Sequence, residues 1–190
     1  MDLLYDRNHP KLTEKSYGKL AAQQRMRLAM AFLNPLRPVI AESWLGHGKG
    51  SKKKAFGQAL KKLMQDALEG DYPEQRVIPE RVDISIGILP GLQVEDSVHS
   101  QQTLEVYFSS KENPLARPND EVVLVVYSPE VGVAARNTQV CNRSEGYIKV
   151  ELPPQLWSVP FHVYLFVHSA SRKRYSKSIH IGQLGPWQER

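Results

Sequence analysis

The sequence predicts an α+β protein whose helices come first and whose strands follow. Two observations carry this reading: apolar residues before Pro73 recur at helical steps of three and four, and beyond it the period drops to two. A third observation joins the two parts. Two of the expected strands are apolar on both faces, so the sheet that holds them needs a cover.

Residues 13–33 read as the first helix, with Thr13 as N-cap and Leu20, Gln24, Leu28 and Phe32 at four-residue steps. A second line through Ala22, Met26, Ala29 and Leu33 widens the stripe, which implies burial on two sides. Pro35 and Pro38 break the helix near Asn34, because proline lacks an amide and restricts the residue before it. A short helical piece then carries Leu36, Val39, Ile40 and Trp44, the last a core or interface residue. Residues 52–69 give the clearest helix, with Phe56, Leu60, Leu63, Met64 and Ala67 on one stripe and Gly70 as its stop.

From Asp83 the residues alternate, putting Ile84, Ile86 and Ile88 on one face. Further strands are expected at 102–109, 121–128, 132–141, 146–152, 160–169 and 174–181, separated by turn-rich segments such as KENPLARPND. Seven strands with no helix between them point to an antiparallel β-sandwich of immunoglobulin-like or fibronectin-like type, without the cysteine pair of antibody domains. EVVLVVYS (121–128) is apolar throughout, and FHVYLFVH (161–168) sets His162, Tyr164, Phe166 and His168 opposite its aliphatic side. The N-terminal helices are the expected cover. The organisation read from this is a helical segment, 1–75, packed on a sandwich, 76–184, with a tail at 185–190.

A composition of 41% hydrophobic and 24% charged residues over 190 positions excludes gross disorder. The single cysteine, Cys141, excludes an internal disulfide and a multi-cysteine metal site. Neither a signal-peptide core nor an apolar run of the roughly 18 residues a membrane helix needs is visible, so the expected localisation is cytoplasmic, with no membrane partner. The net charge of +5 arises in residues 1–80, where 14 Lys/Arg face 9 Asp/Glu, whereas residues 81–190 hold 11 of each.

That basic excess centres on GHGKGSKKK (46–54). The phosphate-binding loop needs G-x-x-x-x-G-K-[ST] after a strand, and here Ser51 stands where the second glycine belongs. The stretch reads as a flexible connector ending in Ser51 as N-cap. Lys49, Lys52, Lys53, Lys54, Lys61 and Lys62 nonetheless form a basic cluster that suits nucleic acid, although no recognised nucleic-acid motif accompanies it. Lysines in a first helical turn oppose the helix dipole, which favours a partner there.

Nucleophile elbows, paired-histidine zinc helices and glycine-rich dinucleotide turns are all missing, and no pair of carboxylates has spacing that supports acid–base work. No cofactor and no metal are expected. His162 and His168 lie six residues apart on one strand face, about 20 Å, too far to share an ion. His180 can neighbour one of them across a ladder, in a register the sequence leaves open. Cys141 has no basic partner nearby and reads as an inert thiol.

Gln24, Arg25, the turn Phe32-Leu33-Asn34-Pro35-Leu36-Arg37-Pro38, Ala55-Phe56, Gly70-Asp71-Tyr72-Pro73 and the strand Leu124 to Glu130 occur in a fixed order. This ordered set resembles a family of uncharacterised proteins abundant in Bacteroidetes. The resemblance implies helices leading into a β-rich region and carries no activity.

The expected function is a non-enzymatic binding or structural module, working by protein–protein interaction or self-association. Its partner is then another protein or an identical subunit. Nucleic-acid binding through the six lysines is the alternative. A second alternative is carbohydrate or small-ligand binding at Tyr164 and Phe166, or at strand-end loops holding Trp157 and Trp187, which requires those aromatics to be exposed.

Overall fold

A computed structural model describes residues 14–187. Three helices come first: α1 (Glu14–Leu33), α2 (Arg37–Ser43) and α3 (Lys52–Asp66). The expected Thr13 cap lies outside the described residues. Among the described residues, no helix is long and apolar enough to cross a membrane.

The α1–α2 corner follows from its prolines. The Leu36 amide donates to Leu33 O and the Arg37 amide to Asn34 O, which turns the chain, and Pro38 sits in the first turn of α2 where its missing amide costs nothing. Leu36, Val39, Ile40 and Trp44 are all buried. Arg37 lies over the Phe56 ring, 4.4 Å from its centre, and ties α2 to α3.

The connector between α2 and α3 is folded into hydrogen-bonded turns rather than an open loop. The amides of Gly48, Gly50 and Ser51 donate to Trp44 O, Leu45 O and Gly48 O, each at 3.0 Å. A Cβ on Gly48 would stand 2.5 Å from both Ala55 N and Ser51 O, so the glycine is needed for close approach rather than for freedom. Ser51 does cap α3, accepting the Lys54 amide, a contribution of up to about 1 kcal/mol. The helix stops at Asp66 instead of 69, because Leu68–Glu69 (β1) pairs with Arg76–Val77 (β2) in a small hairpin that turns at Gly70, φ +86°.

Seven longer strands follow: β3 (Gln93–His99), β4 (Thr103–Ser109), β5 (Glu121–Ser128), β6 (Val133–Arg136), β7 (Tyr147–Glu151), β8 (Phe161–His168) and β9 (Ile179–Leu184). They form two antiparallel sheets, β3-β4-β7 and β6-β5-β8-β9. One core is shared by the two sheets, with Leu104, Val106, Phe108, Ile148 and Val150 from the first and Val122, Leu124, Val126, Phe161, Val163, Leu165 and Val167 from the second. A second core joins the other face of the four-stranded sheet, at Val123, Val125, Tyr127, Tyr164 and Phe166, to Phe32, Leu33, Leu36, Ile40, Trp44 and Phe56 of the helical layer. The doubly apolar strands β5 and β8 are thus buried on both sides, by a sheet and by helices.

Among the described residues there are nine strands in three sheets, because the short β1-β2 hairpin adds a third sheet to the two that the seven longer strands form. Residues 83–88 form no strand. Their polar groups go to serines instead: Ser178 Oγ accepts the Ile84 amide, Ser85 Oγ donates to Ser176 O, and Ser43 Oγ donates to Ile84 O. The segment is a seam between α2 and residues 175–178. Ile84 is fully buried there, while Ile88, expected on the same face, is 71% exposed. Conversely, β3 was not expected, because a bulge between Val94 and Asp96 breaks its alternation. The expected 132–141 strand shrinks to β6, and 174–181 moves to β9.

Candidate binding surface

The two larger sheets have four faces, and among the described residues three are covered. Two face each other across the shared core, and the helices close the outer face of the four-stranded sheet. The outer face of β3-β4-β7 is left open. Side chains alternate along a strand, so register fixes what it displays. Asp96 pairs with Tyr107, Val98 with Glu105, Tyr107 with Tyr147 and Glu105 with Lys149.

Tyr107 and Tyr147 are 38% and 51% exposed, and their rings stack with centroids 6.2 Å apart and planes 28° from parallel. Val98 beside them is 52% exposed. Glu105 orders the group, accepting from the Tyr107 hydroxyl at 3.2 Å and pairing with Lys149 at 3.0 Å. Hydrogen bonds from Lys149 and then Tyr107 lower the Glu105 pKa, and the bond to Glu105 raises that of the Tyr107 hydroxyl. The result is two stacked aromatic rings beside a charged pair, with the Tyr107 hydroxyl tied to Glu105. The other exposed large apolar residues of the β region, such as Ile88, Leu115, Val131 and Val140, sit singly on loops.

The aromatic face expected at Tyr164 and Phe166 is closed. Tyr164 is fully buried with its hydroxyl on Pro79 O at 2.9 Å, Phe166 is 4% exposed, and burial pushes the Tyr164 hydroxyl pKa upward. Trp157 is half-buried against the inter-sheet core and donates from Nε1 to Leu152 O, while Trp187 lies beyond β9 and is 38% exposed. The signal for the open pair was present in TLEVYFS and YIKVE, each of which sets a tyrosine among the polar side chains of an alternating strand.

Five of the six lysines, Lys49, Lys52, Lys53, Lys54 and Lys61, are exposed around α3. Lys62 is held by carboxylates, 2.7 Å from Asp66 and 3.6 Å from Asp83, and this raises its pKa. The structure brings His162 and His180 together, Nδ1 to Nε2 at 3.2 Å, and sets His168 apart beside Glu121 at 3.5 Å. Burial lowers the pKa of both paired histidines, against the raising effect of the Glu80 carboxylate. The Cys141 thiol is buried, donates to Tyr147 O at 3.1 Å, and is pushed up to about 12 by burial.

A cleft of about 670 Å³ lies along the 110–118 loop with Arg143 in its wall. Protein groups already hold that guanidinium: Pro90 O and Ser110 Oγ accept from it at 2.7 and 2.9 Å, and Asp120 lies 3.5 Å from Nε. The cleft therefore presents no free cation from Arg143 to an anionic ligand.

No family model matches the chain, and no curated protein matches it. Among solved structures it is similar to the solution structure of the fn3 domain of human collagen alpha-1(XX) chain. The identity is 17%, over 56% of this chain and 88% of that one, with a TM-score of 0.38.

Proposed function

We propose that the chain is a non-enzymatic protein-binding module, an immunoglobulin-like sandwich capped by helices, whose contact surface is the open face of β3-β4-β7. Membership of the family that the α1–α2 turn motif resembles belongs to the same proposal and supplies no activity. The observation that carries the reading is the stacked, exposed Tyr107–Tyr147 pair on the sheet face left uncovered among the described residues. Tyrosine is enriched at interface hot spots because it contributes a large apolar area with few rotatable bonds. Glu105, itself paired with Lys149, holds the Tyr107 ring before contact, and Tyr147 stacks on that ring, which lowers the ordering cost of association.

The test places a photoreactive amino acid at Val98, on the same face, and at Lys53 on α3 as a control. Irradiation in the chain's own lysate is expected to attach one discrete protein, or a second copy, at position 98. The double variant Tyr107→Ser/Tyr147→Ser is expected to abolish that product, since each hot-spot tyrosine contributes about 2 kcal/mol, roughly 30-fold in affinity. A product at position 53 alone, or one at 98 indifferent to the tyrosines, overturns the reading.

A further inference from the structure

His162 and His180 meet because of an irregularity in the ladder. His162 pairs with Gln183 and Val163 with Gly182, and then the register shifts so that Tyr164 pairs with His180, leaving Ile181 over. Successive side chains alternate faces, so one extra residue moves position 180 from the core side to the side of His162 and Tyr164. Ile181 meanwhile packs against the inter-sheet core. The bulge thus aims a histidine across the edge of the sheet at another histidine.

The spacing of the pair is that of two ligands. Nδ1 of His162 lies 3.2 Å from Nε2 of His180, with ring centroids 5.3 Å apart. Two nitrogens bound at about 2.05 Å to one tetrahedral zinc stand about 3.3 Å apart, so the separation already suits chelation, and turning both rings until their lone pairs converge replaces the hydrogen bond with an ion. Tyr164 fixes the surroundings: its ring stands edge-on to His180 at 5.0 Å, and its hydroxyl holds Pro79, next to the Glu80 carboxylate that both imidazoles feel. His180 is half-buried on the edge strand β9 and is the solvent-facing member of the pair, His162 being buried behind it.

We propose that His162 and His180 are the protein ligands of a site for a late divalent transition ion, of the kind imidazole favours: zinc, copper or nickel. Among the described residues no group of three His, Cys, Asp or Glu side chains is placed to hold a metal, so the remaining positions fall to water and binding is weaker than at a four-ligand structural site. The site lies on the helix-covered side of the four-stranded sheet, away from Tyr107 and Tyr147, and stands or falls independently of the partner-binding reading.

The experiment is calorimetric titration of the untagged full chain with zinc chloride, and separately with magnesium chloride. One zinc per chain is expected, and no magnesium. His180→Gln and His162→Gln are each expected to weaken zinc by at least the roughly tenfold that loss of a supporting residue costs a metal site, while His168→Gln leaves it unchanged. Because His162 is buried and its variant can unfold, nitrogen-15 imidazole shifts of the unsubstituted protein give a second reading. Zinc is expected to move His162 Nδ1 and His180 Nε2 first. Absence of binding, binding indifferent to His180→Gln, or first shifts at other histidines overturns the site.

Discussion

Phe32→Ala is expected to lower the unfolding free energy of the whole chain by about 3–5 kcal/mol, the range for emptying a buried phenylalanine site. Phe32 is 5% exposed and stands edge-on to Tyr127 of β5, ring centroids 5.0 Å apart and planes at 88°. Its loss removes the packing of α1 on the four-stranded sheet at the point where the helix turns into α2. Urea unfolding followed by tryptophan fluorescence and by far-ultraviolet dichroism measures it. One coincident transition is expected by both probes, shifted to lower urea with little change in slope, because helices and sheet share one core. Met26→Ala on the same helix, where the side chain is 44% exposed, is the control and is expected to change stability by less than about 0.5 kcal/mol. Two separate transitions, with only the helical one moved by Phe32→Ala, would mean that the helices are an appendage and not a cover.

Gly87→Ala is the second large effect, expected to cost roughly 3 kcal/mol or more as an overpacked site that cannot relax. A Cβ there would sit 2.0 Å from Tyr175 O and 2.7 Å from its carbonyl carbon, both backbone atoms. The next link in the seam is the Leu89 amide, which donates to that same Tyr175 carbonyl at 2.9 Å. Neither segment of the crossing can retreat without breaking the serine bonds that hold Ile84 and Ser85 between α2 and residues 176–178. Gly57→Ala gives the contrast within one protein. Gly57 lies inside α3 with nothing near a built Cβ, so alanine is expected to stabilise by up to about 1 kcal/mol through helix propensity. Equal small effects at the two glycines would show that the seam is loosely packed.

The change of period at Pro73 made the helix-then-sheet order legible, and the apolar runs in β5 and β8 made the helical cover legible. Those same runs argued against a ligand face at Tyr164 and Phe166, since a strand apolar on both sides is one buried on both sides. What stayed hidden depended on register. Alternation at 83–88 is a requirement of strands but not proof of one, and there the Ile84 amide and carbonyl go to the hydroxyls of Ser178 and Ser43, distant in sequence. β3 was concealed by its bulge, which inverts the pattern so that Val98 faces out. The second bulge, opposite Val163 and Tyr164, decides that His180 meets His162, and a one-residue shift carries no mark in local composition. In the connector at 46–51 glycine composition suggests freedom, whereas Gly48 serves close packing.

Hydroxyl-radical footprinting of the tyrosines, in the free chain and with its partner added, tests the central claim most directly, because it reads exposure at each ring. Tyr107 and Tyr147 are expected to be oxidised readily in the free chain and protected by the partner, while Tyr127 and Tyr164, buried under the helices, stay unmodified in both. Oxidation of Tyr164 at the rate of Tyr147, or a partner that leaves Tyr107 and Tyr147 as reactive as before, would contradict it.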